Sequence, residues 1–215
     1  MTSAATCPRP SARRARPSSL GVGAGYAQGF GNISRGRGVG DVAGAGGTVG
    51  LSLGYRINPR FSVAASGAYQ GFGNASATAV QIAAERAATV RGVSGGIEGT
   101  YHVSPYNRVD PHVTVGTGYR VLMESPPTNA PTTLTHGFEL AKVEVGLDVR
   151  PSESIAISPV LGADLNMFMW RSGGGAETAA LTSRGINTFV FAGIKGRFDI
   201  GGARDAKAEQ QVGRR

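Results

Sequence analysis

Apolar side chains recur at every second residue over most of this chain, and that period restricts the folds open to it. In "VGLSLGYRINPRFSVAASGAY" (Val49 to Tyr69) the odd positions carry Val49, Leu51, Leu53, Tyr55, Phe61, Val63, Ala65, Gly67 and Tyr69. The even positions carry Gly50, Ser52, Gly54, Arg56, Ser62, Ala64, Ser66 and Ala68. A period of two places the two sets on opposite faces of a strand. The same alternation runs through Leu20 to Tyr26, Val93 to His102, His112 to Val121, Lys142 to Arg150, Ile155 to Met167 and Val190 to Phe198. It predicts about eight strands, each apolar on one side.

The connections alternate too. Short links surround "INPR" (Ile57 to Arg60), "VSPYNRVD" (Val103 to Asp110) and "PSES" (Pro151 to Ser154), where proline fixes φ and withholds a ladder donor. Between them lie long segments, Gln28 to Gly47, Gln70 to Arg91, Leu122 to Gly137 and Arg171 to Asn187. Most are poor in large apolar residues and rich in Gly, Ser and Pro, so they read as mobile loops rather than as domains. "ATAVQIAAERAATV" (Ala77 to Val90) fits either a short helix or an extension of the flanking strands. Short turns at one end and long loops at the other imply antiparallel neighbours throughout.

Alternation alone does not say which face meets solvent. In a soluble barrel the non-aliphatic register should be rich in Lys, Glu and Thr, whereas here it is mostly Gly, Ala and Ser. Small residues suit the interior of an eight-stranded barrel, which is only just wide enough for side chains to fill it. They leave room for Arg56, Glu98, His102, His112, Arg120, Lys142, Glu144, Asp148, Asp164, Lys195 and Arg197. These five cations, four carboxylates and two histidines form a predicted lumen charge network, in which pairing avoids the cost of isolated buried charge. Tyr26, Tyr55, Phe61, Tyr69, Tyr101, Tyr119 and Phe198 fall on the aliphatic register near strand ends, where membrane-interface aromatics sit. Phe168, Trp170, Phe189 and Phe191 do not fit one register and signal either inward placement or a register change.

The 17% of charged residues is low for a soluble domain, and no run reaches the length of a helical membrane span. The net charge of +8 sits largely at the ends: Arg9, Arg13, Arg14 and Arg16 contribute +4, and the segment after Gly201 contributes +2. The remaining +2 is too little for a phosphate-binding face, so no nucleic-acid partner is expected. Three segments follow: a basic tail over 1–18, a barrel over 19–200 and a polar tail over 201–215. "MTSAATCPRPSARRARPSSL" lacks the apolar core of a secretory signal peptide, and the expectation is a leader lost through a mis-assigned start or truncation. Its acid-free Arg/Ser composition also matches an organelle transit peptide.

On strand rhythm, on the turn and loop alternation and on the terminal strand "NTFVFAGIKGRFDI", the stretch from Leu20 to Ile200 resembles the small eight-stranded bacterial outer-membrane barrels of the OmpA-type and OmpX-like group. The resemblance implies an all-β, antiparallel up-and-down transmembrane barrel in the outer membrane, with periplasmic short turns and extracellular long loops. It implies contact with outer-membrane lipid and lipopolysaccharide, and with the barrel assembly machinery. Phe198 and Ile200 match the alternating terminal residues that the machinery reads; Lys195, where glycine is common, and the 15-residue tail depart from the pattern. A monomer is expected.

Chemistry-bearing motifs are few. "GVGAGY" and "GAGGTVG" lack the spacing, helix and lysine of a phosphate loop. His102 and His112 flank a turn symmetrically and share the inward register, but spacing specifies no third ligand, so no metal or cofactor is expected. "HVS" (His102 to Ser104) is similar to the His-x-Ser of outer-membrane lipid A deacylases, yet it lies at the short-turn end, away from the lipid A leaflet. The expectation is a non-enzymatic scaffold that presents surface loops for adhesion, binding or envelope integrity. A narrow solute pore is the alternative, and a lipid A acyl hydrolase stands behind both. Arg35 and Arg37, in the first loop, are suited by charge to anionic lipopolysaccharide.

Overall fold

Alternation over a dozen residues or more at a time builds long strands. The structure, a computed structural model, describes residues 18–34, 37–72, 89–125, 131–152, 154–173, 176–182 and 184–200. Eight long strands follow one another: β1 (Ser18–Ser34), β2 (Gly46–Asn58), β3 (Phe61–Phe72), β4 (Thr89–His102), β5 (Val109–Ser125), β6 (Thr133–Val149), β7 (Ile155–Gly173) and β8 (Ile186–Ile200). Each pairs antiparallel with its sequence neighbours, and β8 also pairs with β1 from Ser18 opposite Ile200 to Gly31 opposite Asn187. The eight long strands therefore form a closed up-and-down barrel in which each is paired on both sides. A two-residue strand, Arg37–Gly38, folds back on β1, and Ala176–Ala180 extends β7 as a hairpin at the loop end.

The short turns are built by local chemistry. Asn58 Oδ1 accepts the backbone N–H groups of Arg60 and Phe61 at 2.9 and 2.8 Å, an Asx turn that reverses the chain across Pro59. Neighbouring turns are tied together by His102 N–H to Arg60 O, Arg150 N–H to Arg108 O and Asp199 N–H to Ser154 O. At the seam, Gly25 and Gly193 face each other across β1 and β8. A Cβ on Gly25 would lie 2.3 Å from the Ala192 carbonyl oxygen and 2.8 Å from Gly193 Cα, so only glycine permits that backbone approach.

The aliphatic register faces outward. Leu51, Leu53, Ile97, Val115, Leu161 and Ile194 are all more than half exposed and form a band around the wall. Tyr55, Phe61, Tyr101 and Phe198 lie on that face toward the short turns, and Tyr26, Tyr69 and Tyr119 lie on it toward the loops. Phe30, Phe138 and Trp170 join the loop-end set. Trp170 pairs opposite His136, whereas Phe168 pairs opposite Gly137 and is fully buried; the irregularity between them switches β7 from inward to outward parity. Phe189 and Phe191 lie on the inward register of β8, and Phe189 is fully buried.

The long connections depart from their sequence reading. Strands run past the predicted loop boundaries, to Ser34 in β1, Ser125 in β5 and Gly173 in β7. The first connection does not simply face outward as a mobile loop. A single helical turn, Val39–Val42, folds into the barrel mouth and buries Val39, Val42 and Ala43. Val39 and Val42 are three residues apart, so one helical turn brings both to the same face. The tails at 1–17 and 201–215, most of Ala77 to Val90, and Arg35 with the side chain of Arg37 lie outside the described residues; Thr89 and Val90 belong to β4.

A charge on the outward band distinguishes lipid from water as the surrounding medium. Ile97 is 68% exposed and lies midway along β4, four residues from Tyr101 and four from Val93, the partner of Tyr69. In urea-titrated lipid vesicles, Ile97→Arg should cost about 2–4 kcal/mol of folding stability. The same change on a water-facing strand would stay within about 0.5 kcal/mol.

Candidate functional site

The interior is asymmetric. On β1, β2 and β3 the inward positions below the barrel mouth are Gly, Ala, Ser and Thr, with Arg56 and Gln70 the exceptions. The large polar side chains stand on β4 to β8 and reach across, leaving a lumen cavity of about 170 Å³ between the two walls. One wall is small and neutral; the other is charged.

All eleven predicted lumen residues lie inside the barrel wall, and most find a partner of opposite charge. Lys142 Nζ donates to Glu98 Oε2 at 3.1 Å, and Ser66 Oγ donates to the same oxygen at 3.3 Å. Lys195 Nζ reaches both oxygens of Glu144 at 2.6 Å. Nearer the mouth, Arg120 Nη2 donates to Asp164 at 2.7 Å and to Glu139 at 3.3 Å, and Asn166 donates to Asp164 at 2.6 Å. Near the short turns, Asp148 binds Arg197, Arg150 Nη2 at 3.4 Å and Ser158 Oγ at 2.5 Å. Arg150 also reaches Asp199 at 3.1 Å, and Arg56 donates to the Pro59 carbonyl at 3.1 Å. His102 and His112 sit directly opposite one another, with ring centroids 5.7 Å apart. His102 Nδ1 is 2.9 Å from Asp110, whose other oxygen accepts the Ser104 backbone N–H at 2.8 Å.

Four members of this network escaped the sequence reading: Asp110, Glu139, Arg150 and Asp199. Glu139 had a signal. Thr135, Gly137 and Glu139 alternate with His136, Phe138 and Leu140 in the parity opposite to Val143 to Val149, and the irregularity between Glu139 and Ala141 makes that switch. The other three sit at strand ends: Arg150 continues the inward parity of Lys142 to Asp148, and Asp199 that of Lys195 and Arg197, but neither is counted in the predicted network, and Asp110 precedes the run that begins at His112.

Above the charges lies an apolar plug. Ile33, Val39, Val42, Ala43, Phe72, Val90, Leu122, Phe168 and Phe189 form one buried cluster at the loop end, with Leu181 packed against it. Arg120 marks the boundary: its guanidinium lies 4.2 Å from the centroid of the Phe189 ring while its Nη2 holds the two carboxylates. The lumen is thus ionic through most of its length and hydrocarbon-like at the mouth.

These features coincide with those of a known family. The model of the outer membrane protein beta-barrel domain matches residues 1–166. The chain belongs to that family. It is an outer-membrane β-barrel, with the aliphatic band in contact with the bilayer. Among solved structures it is similar to the Neisserial surface protein A (TM-score 0.53, 13% identity, 85% of this chain and 97% of that one). It is likewise similar to OprG of Pseudomonas aeruginosa (0.53, 11%, 86% and 97%) and to a major outer membrane protein of Thermus thermophilus (0.54, 10%, 86% and 98%). At such identities the likeness is one of fold. No curated protein matches the sequence.

Arg120 carries the sharpest energetic test of the lumen. Its side chain is 2% exposed, and removing it leaves Glu139 and Asp164 without their cation. Arg120→Met should cost about 3–5 kcal/mol in equilibrium unfolding. Adding Glu139→Gln and Asp164→Asn to the same chain should recover part of that loss.

Proposed function

We propose that this barrel is a non-enzymatic, non-conducting scaffold whose function resides in its outer loops, as adhesion, binding or envelope integrity. The observation that carries the reading is the apolar plug: nine buried residues among those described close the lumen at the loop end, and the first connection supplies three of them, Val39 and Val42 from its helical turn and Ala43 just after it. An ion following the lumen would leave the charged layer and meet hydrocarbon, which disfavours a conducting path. With the lumen closed, the loop-end surface is what remains for partners.

On this reading the chain acts as a monomer, embedded in outer-membrane lipid and lipopolysaccharide and inserted by the barrel assembly machinery. Its closed sheet leaves no edge to be completed by a second copy. Ser104 offers its backbone amide to Asp110 within a short turn, a structural role that the non-enzymatic reading requires.

Two measurements test the proposal. In planar bilayers the folded chain should give no stable conductance steps; regular steps would favour the pore instead. Replacing residues 73–88 or 126–130 with Gly/Ser segments of equal length should preserve folding and abolish a loop-dependent surface phenotype. A lipid A deacylation lost in Ser104→Ala would overturn the non-enzymatic reading.

A further inference from the structure

At the short-turn end, two imidazoles and a carboxylate converge in a way that the charge network does not require. We propose that His102, His112 and Asp148 form a binding site for a late first-row divalent metal ion, Zn²⁺ or Cu²⁺. The inference goes beyond the scaffold reading and does not depend on it.

Three adjacent strands supply the ligands. His102 ends β4, His112 stands opposite it on β5, and Asp148 comes from β6. One ligand atom from each lies within 4.8 Å of the others, and all three residues are buried. Spacing in sequence revealed the histidine pair but not the third ligand, because Asp148 reaches them only through the lateral pairing of β5 with β6.

The donor atoms are prepared for a cation. Asp110 accepts the Nδ1 proton of His102 and is itself held by the Ser104 amide, which fixes the ring and leaves Nε2 as a lone pair. That Nε2 is buried without a hydrogen-bond partner. A carboxylate on the far nitrogen of a ligating histidine is the usual way its orientation and basicity are set. His112 Nδ1 lies 3.3 Å from Asp148 Oδ1 without the alignment of a hydrogen bond. Its ring is seated on Gly146, where a Cβ would come within 2.5 Å of Cε1. Two buried ring nitrogens, His102 Nε2 and His112 Nδ1, are thus without a hydrogen-bond partner, and the His102 ring comes within 3.8 Å of Asp148 Oδ2 at its Nδ1 edge.

Charge permits a dication. Arg197 and Arg150 engage Asp148 through Oδ2, which leaves Oδ1, shared with Ser158, on the side of His112. Around the site the guanidinium groups of Arg56, Arg150 and Arg197 are matched by Asp110, Asp148 and Asp199. Among the described residues below the plug, six Lys and Arg side chains face seven carboxylates, one negative charge in excess while the imidazoles are neutral. A divalent ion leaves one positive charge, the same as protonating both rings.

Two imidazole nitrogens and a single carboxylate favour Zn²⁺ or Cu²⁺ over Mg²⁺ or Ca²⁺, which prefer all-oxygen shells. Three protein ligands leave positions for water, and His112 and Asp148 both border the lumen cavity from which an ion would arrive.

The chain has three histidines in all, which makes the test clean. Full-length protein is prepared without a polyhistidine tag, with Cys7→Ser in every form, and titrated with Cu²⁺ and separately with Zn²⁺. Calorimetry should give one ion per chain, and electron spin-echo modulation should count two imidazoles on Cu²⁺. His102→Asn and His112→Asn should each reduce the count to one, and Asp110→Asn should weaken binding about 10–100-fold. His136→Asn, on the outer face, should change nothing and leaves only the two proposed histidine ligands as imidazoles in the chain. Circular dichroism checks folding; if either ligand variant fails to fold, the two-imidazole signal in His136→Asn still decides. The proposal is overturned if wild type takes up less than one ion per chain, if one imidazole or none is counted, or if the signal depends on His136.

Discussion

Hydrocarbon offers no hydrogen bonds, so every backbone donor and acceptor that enters it must be satisfied by the chain itself. The pairing of β1 with β8 meets that requirement, because it turns a meander with two free edges into a closed wall. Closure in turn fixes the two faces. With side chains alternating across the wall, whatever does not face lipid must share a narrow interior. The glycines opposed at Gly25 and Gly193, the small residues on β1 to β3 and the charges on β4 to β8 are consequences of that confinement.

Ionised side chains survive inside the wall because they compensate one another at short range. Glu98 with Lys142, Glu144 with Lys195, and Arg120 with Asp164 and Glu139 link strands that are not neighbours in the sheet as well as some that are. Such pairs gain little over a well-packed apolar core, but losing one member leaves an uncompensated charge. They act as cross-braces whose correctness depends on register, since a one-residue slip would carry every charge to the lipid face. The plug solves a different problem at the mouth, where the first connection adds Val39, Val42 and Ala43 to the apolar side chains that the wall turns inward.

Much of this was legible in the sequence. A period of two over eight runs is sufficient to specify strands, and the alternation of short and long connections specifies their antiparallel order. The face assignment followed from Gly, Ala and Ser opposite the aliphatic residues, and all eleven expected lumen residues do lie inside. Three things were not read from the sequence. Glu139 lies beyond a bulge that reverses parity in β6, so extrapolation from Val143 and Val145 would place it on the wrong face and only its local alternation with Phe138 and Leu140 points inward. Val39 and Val42 sit in a glycine-rich segment without periodicity, and their burial is decided by Phe168 and Phe189, which are far away in sequence. The convergence of Asp148 on His102 and His112 depends on which strands pair and in what register, which a local pattern does not encode.

The central claim is that lipid is the solvent for one register of the wall and the lumen for the other. Spin labels placed singly at residues 93 to 101 of β4, in bilayers, read this directly through collisions with oxygen, which concentrates in hydrocarbon, and with a water-soluble nickel chelate. The account requires high oxygen and low nickel accessibility at positions 93, 95, 97 and 99, falling at 94, 96 and 98. Nickel accessibility that peaks at positions 93, 95, 97 and 99 would contradict it.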